Sequence, residues 1–226
     1  MPKFTLFVAP GTCARVPTIA LEEIGVAYET KLVRLPLKEQ KTPEFLAINP
    51  KGKVPTLLID GVPLTENVAI LTWLNRTFPN ANLLPKTQSD LDAAQLTADL
   101  AAISGTIHPI LTRIAMTQNF TKMGGNLDDI RETAVEAMAP FMAMINERLS
   151  GQPWWYGQDW SIVDAYISWV WWRLDVVDYP GEAFPNLSEH AKRNYQRPSV
   201  ARAMESELIY ARQMKADGLK IPHRDL

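Results

Sequence analysis

The run Asn49-Pro50-Lys51-Gly52-Lys53-Val54-Pro55, continued by Thr56-Leu57-Leu58-Ile59, Asp60-Gly61 and Val62-Pro63-Leu64-Thr65, decides the fold. Asp-Gly between two apolar segments is a strong hairpin signal, because a tight hairpin turn needs positive φ at its centre. Residues 56–59 and 62–65 are therefore expected to pair antiparallel. Pro63 has no N–H to give a ladder, which places the second strand at a sheet edge. Val54-Pro55, just ahead of the first strand, is a candidate cis peptide. Such a bond would turn the backbone groups of Val54 outward, free to pair with something other than this chain.

Thr65-Glu66-Asn67 then opens a helix whose apolar positions Val68, Leu71 and Leu74 recur at three- and four-residue steps. Thr65 or Asn67 is the expected cap, with Glu66 in the first turn. A helix N-terminus suits a carboxylate, and a carboxylate side chain beside it suits an ammonium. Together they read as a pocket for one amino-acid head group, with Val54 holding an extended peptide as an extra strand. The same spacing is equally an ordinary capped helix after an ordinary hairpin.

Upstream, Lys3 to Ala9 reads as a strand ended by Pro10-Gly11, and Ala27 to Val33 as a second strand. Between them Val16, Ile19, Ala20 and Ile24 mark a helix. Pro17 is tolerated only in its first turn, so the helix must begin close to Cys13. The segment from Leu35 to Ile48 reads as looser. The first eighty residues thus spell βαβ and then ββα on a small mixed sheet. Downstream the strand signals stop. Division into domains is expected at residues 1–79 and 89–226, with 80–88 as a linker.

The second part is helical in pattern. Leu91 to Phe120 is one long apolar-periodic run, interrupted near His108-Pro109, and Leu127 to Leu149 is another that contains Pro140. Trp160-Ser161-Ile162-Val163-Asp164 reads as a capping box, with Asp in place of the usual Glu or Gln. The helix it opens is apolar nearly all round and should lie at the centre of its domain. Two shorter helices, over Leu187 to Tyr195 and Ser199 to Lys215, complete the pattern. The tryptophans from Trp154 to Trp172 read mainly as core.

Composition narrows the function. A net charge of −2 without any basic run argues against nucleic-acid binding, and no apolar run approaches a membrane span. A single cysteine rules out an intramolecular disulfide and makes the cytoplasm the default compartment. Cys13, His108, His190 and His223 stand singly, so no metal site is expected.

Four motifs in register, Ala9-Pro10-Gly11-Thr12-Cys13, Asn49 to Pro55, Leu64-Thr65-Glu66-Asn67 and the box from Ser161 to Asp164, resemble the cytosolic glutathione transferases. The likeness is greatest to the bacterial beta class, because a cysteine follows Pro-Gly and a histidine sits in the long helix of the second domain. The resemblance implies a thioredoxin-like N-terminal domain, an all-helical C-terminal domain, a homodimer and a role in detoxification. It implies glutathione as a substrate, with an apolar electrophile or a disulfide as its partner. Glutathione-dependent disulfide reduction, isomerisation, or a non-catalytic interaction module on the same fold are the alternative uses.

Carried over by residue, Val54, ahead of Pro55, would pair with the cysteinyl backbone of glutathione, and Glu66 would take the γ-glutamyl ammonium. Asn67 would take the γ-glutamyl carboxylate, although the family usually has Ser there. Lys38 would reach the glycyl carboxylate, with Lys41 competing. Cys13 and His108 match the beta-class residues beside the sulfur; by their own chemistry Thr12, a hydroxyl that can donate, and Arg15, a cation that would favour a thiolate, are the alternatives to Cys13 for that contact. The beta-class asparagine that precedes the histidine falls near Ala101 here and is missing. A thiol at a helix N-terminus is expected to have a lowered pKa. Cys13 would then be a thiolate near neutral pH, able to form a mixed disulfide with glutathione.

Overall fold

The computed structural model describes residues 2–122 and 124–221; His223 lies outside them. Two compact units emerge, one formed by residues 1–83 with 197–226 and the other by residues 84–196.

The first unit is built on a four-stranded sheet. Its strands are β1 (Phe4–Val8), β2 (Tyr28–Leu32), β3 (Thr56–Ile59) and β4 (Val62–Thr65), in the order β2-β1-β3-β4. β1 and β2 run parallel, joined by α1 (Arg15–Ile24), and β3 runs antiparallel to β1. Every residue of central β1 is buried. The hairpin forms as Asp60-Gly61 predicts, with Asp60 and Gly61 both at positive φ. β4 is the edge, and Pro63 sits opposite Leu58 on it. After it comes α3 (Asn67–Thr77), which packs on α1.

The loose segment of the sequence reading is more ordered than expected. It contains two 3₁₀ turns and a short helix, α2 (Pro43–Ile48), capped by Thr42, whose hydroxyl accepts the Phe45 N–H. The reason is local hydrophobic anchoring. Phe45 meets Phe7 edge-to-face at 5.5 Å in a cluster with Val33, against which Val54 and Ile48 also pack. That cluster seats the Asn49–Pro55 loop on the sheet.

The second unit carries α4 (Asp90–Ala102), α5 (His108–Ala115), α6 (Leu127–Arg148), α7 (Ile162–Val176) and α8 (Pro185–Tyr195). The expected interruption near His108 is a π-helical turn over Ile103–Ile107, so the chain stays helical instead of breaking. Such turns are rare and often lie at functional sites. α6 runs through Pro140. α7 is buried from Ile162 to Val170 on every face, as its composition requires. Its capping box is complete in both directions. Asp164 also accepts from the Trp155 N–H at 2.7 Å and bonds His190 Nε2 at 2.9 Å, all buried. Trp155, Trp169 and Trp172 are core, as read from the sequence.

The last helix, α9 (Pro198–Ala216), which the sequence reading assigned to the helical domain, packs on α1 and belongs to the first compact unit.

Candidate functional site

The Asn49–Pro55 loop is held from within. Asn49 is buried; its amide donates to the Lys53 carbonyl at 2.8 Å and to Thr56 Oγ1 at 2.9 Å, and its Oδ1 accepts the Lys51 N–H at 3.1 Å. Gly52 has φ +60, and a Cβ there would lie 2.7 Å from both the Gln40 carbonyl and Lys41 Nζ. Only glycine fits. The Lys41 ammonium therefore rests against this loop, whereas Lys38 is exposed at φ 58. Val54-Pro55 is cis, and among the described residues no hydrogen bond engages the Val54 N–H or carbonyl.

Glu66 departs from the expected cap. It is itself the N-cap of α3, at φ 72, with no side-chain bond into the helix. A non-glycine residue held there costs of order 1–3 kcal/mol and persists only where its surroundings over-determine it. Its freed carboxylate is exposed and pairs with Lys51 Nζ at 2.7 Å, and the same ammonium bonds Thr65 Oγ1 at 3.0 Å.

The Pro10–Cys13 turn faces the start of α3. Thr12 closes it, with Oγ1 donating to the Ala9 carbonyl at 2.6 Å, so that hydroxyl serves the turn. Arg15 is directed to α9: its Nε and Nη2 donate to Glu207 at 2.9 and 2.7 Å, and the Gly11 N–H donates to Glu207 Oε1 at 2.9 Å. The Asn67 amide donates to the Cys13 carbonyl at 3.1 Å, which ties the turn to α3.

The thiolate expected at Cys13 is corrected by this setting. α1 begins at Arg15 with Ala14 as its N-cap, so Cys13 lies one residue outside the helix. Burial pushes its thiol up to about 12; hydrogen bonds from its own backbone and from Asn67, which favour the anion, offset only part of that. Cys13 is nonetheless only half-buried, and its setting opposes the thiolate.

His108 lies in the second unit, where the π-helical turn delivers it to the first position of α5. Its ring meets Trp169 edge-on at 4.7 Å, and Nδ1 lies 3.5 Å from the Tyr166 hydroxyl. Ala101, where the beta-class asparagine would fall, is exposed. Nearby Asp99 accepts from Trp155 Nε1 at 2.9 Å and the Tyr156 hydroxyl at 2.8 Å.

The family models for the glutathione S-transferase N-terminal domain and C-terminal domain match residues 2–76 and 128–193. The structure of a sphingomonad glutathione S-transferase complexed with glutathione is 31% identical, with a TM-score of 0.77 over 90% of this chain and 98% of that one. The chain belongs to the glutathione S-transferase family. A bacterial beta class enzyme from Sphingomonas chungbukensis superposes with a TM-score of 0.78 at 29% identity, covering 90% of this chain and 98% of that one. The glutathione S-transferase GstA of Escherichia coli O157:H7 is 28% identical over 204 residues, 89% of this chain and 98% of the relative.

As a glutathione S-transferase, the chain brings Thr12, Cys13, Val54, Pro55, Glu66 and Asn67 into one unit, with Lys38 in the same unit and His108 in the other. Sequence reading passed over Asn49, Lys51 and Glu207. Asn49 had a signal, since Asn bonding the backbone two residues on is an Asx turn. Lys51 and Glu207 had none, because their partners lie 15 and 192 residues away.

Proposed function

We propose that this chain binds glutathione at the Asn49–Pro55 loop and the start of α3, and uses its sulfur on an apolar electrophile or a disulfide. The observation that carries this reading is the unengaged backbone of Val54 in the same unit as the Glu66 carboxylate and the Cys13 turn. An extended peptide adds to Val54 as a strand. The γ-glutamyl ammonium meets Glu66 in competition with Lys51, an exposed pair whose loss costs little. The carboxylate meets the unpaired N–H groups at the start of α3. Lys41, set against Gly52, and Lys38 are the cations offered to the glycyl end.

Catalysis then consists of keeping the glutathione sulfur anionic and aligned. Cys13 and His108 act on that sulfur, His108 as a proton donor or acceptor. We further infer a homodimer working in the cytoplasm, without a metal and without a nucleic-acid partner. Calorimetric titration of the reduced protein with glutathione, beside Glu66→Ala, tests the reading. Saturable binding that Glu66→Ala abolishes supports it; no binding at millimolar glutathione overturns it. Loss of turnover in both Cys13→Ala and His108→Ala supports the catalytic pair, and unchanged turnover in both removes it.

A further inference from the structure

Lys51 Nζ donates to Glu66 Oε1 at 2.7 Å and to Thr65 Oγ1 at 3.0 Å, so the Asn49–Pro55 loop sets a cation at the start of α3. The Lys51 and Glu66 side chains are 51% and 64% exposed. An exposed pair contributes little to stability, so the fold commits neither charge. Glu66 also keeps a second carboxylate oxygen, which accepts no hydrogen bond among the described residues. Beside the pair, α3 has no capping side chain and no acidic residue in its first turn. Asn67 turns Nδ2 to the Cys13 carbonyl and holds a buried Oδ1 that has no hydrogen-bond partner among the described residues. One end of α3 thus gathers a carboxylate, an unpaired acceptor, a cation and unpaired N–H groups.

We propose that Lys51 is a specificity-determining residue of the glutathione site: with Glu66 it forms a charge couple matched to a head group that carries an ammonium and a carboxylate on one carbon. This rests on the glutathione-binding reading above and adds a residue to that site. The γ-glutamyl ammonium goes to Glu66, with Asn67 Oδ1 as a further acceptor in the same head-group site. The carboxylate goes to the start of α3 with one oxygen and to Lys51 with the other. Positive and negative charges then alternate, and each ion meets the opposite sign. A head group with the ammonium alone sets a second cation beside Lys51, and that mismatch is penalised. The flexible four-carbon stem of lysine lets its ammonium adjust to the incoming carboxylate.

The other use of the same geometry is a gate, in which Lys51 occupies Glu66 until a ligand displaces it. The two uses have opposite signatures. Binding is measured by calorimetry for two reduced ligands. One is glutathione; the other is its analogue with γ-aminobutyrate in place of the γ-glutamyl residue, which keeps the ammonium and lacks the head-group carboxylate. The proteins are the parent, Lys51→Met and Lys51→Arg, and thermal unfolding verifies that each is folded.

Lys51→Met is expected to weaken glutathione binding by about fivefold, the upper end of what an exposed charge pair contributes. Lys51→Arg, which keeps the charge, should stay within about twofold of the parent. The analogue without the carboxylate should bind Lys51→Met at least as tightly as it binds the parent. Glutathione affinity unchanged in Lys51→Met overturns the proposal, and so does an equal loss for both ligands. Tighter glutathione binding by Lys51→Met overturns it too and makes Lys51 a gate. If the parent itself binds no glutathione, the functional reading fails and this assignment falls with it. If the parent binds and Lys51→Met leaves the ratio of the two affinities unchanged, this assignment alone falls.

Discussion

Replacing Glu207 tests whether the last helix holds the Cys13 turn in place. The Arg15 side chain is 2% exposed and that of Glu207 10%, so both charges are largely out of water. Glu207 accepts two bonds from the guanidinium and one from the Gly11 N–H. Glu207→Ala removes the carboxylate that the buried Arg15 guanidinium meets. Breaking one side of such a pair costs about 3–5 kcal/mol, far more than the intact pair contributes relative to an apolar replacement. For a chain of this length each kcal/mol moves the midpoint by about 2–4 °C, so thermal unfolding should fall by about 6–20 °C. Glu207→Gln keeps acceptor capacity and should lose less. The double variant Arg15→Met with Glu207→Leu removes both charges and should recover most of the loss. The assay is circular dichroism on heating, run on all four proteins. A midpoint for Glu207→Ala within about 2 °C of the parent refutes the reasoning. A double variant no more stable than Glu207→Ala refutes it equally.

Asp164→Ala removes the acceptor of the capping box together with the bonds to Trp155 N–H and His190, and should destabilise by more than about 2 kcal/mol in a denaturant titration. Gly52→Ala forces a Cβ to within 2.7 Å of the Gln40 carbonyl at positive φ, so calorimetry should show weakened glutathione binding along with a lower unfolding midpoint. Cys13 carries a pH signature. Its native thiol is raised from 9.0 to about 12, so the folded state binds the proton more tightly than the unfolded chain. That contribution is complete below 9.0 and is lost as pH rises toward 12. Stability measured against Cys13→Ala should converge on the variant's across that interval, and parallel curves would contradict the assignment.

The parts of this molecule legible in its sequence are those fixed by neighbours along the chain. Asp60-Gly61 sets a turn by backbone preference alone, Pro17 limits where α1 begins, and Ser161 with Asp164 encodes a cap within four residues. Tertiary relations left no such mark. Nothing in the pattern of α9 indicates that Glu207 reaches the Pro10–Cys13 turn, because periodicity names a buried face without naming what it meets. Glu66 at φ 72 was invisible for a related reason: local preference argues against that conformation in a non-glycine residue. Cys13 shows the limit most clearly. Its place beside a helix start argues for an anion, and the loss of water around the sulfur, which no local pattern encodes, opposes it.

The membership of α9 in the first unit bears on how the protein is made. Strands and helices up to residue 83 leave the ribosome first, yet the acid that neutralises Arg15 is translated only after the entire second unit. At ordinary elongation rates that interval is on the order of 10 s. Through it the nascent N-terminal half lacks the carboxylate that Arg15 and the Gly11 N–H meet in the folded chain, and the helix that packs on α1. A stop codon ahead of Pro198 would therefore injure the beginning of the protein more than its end.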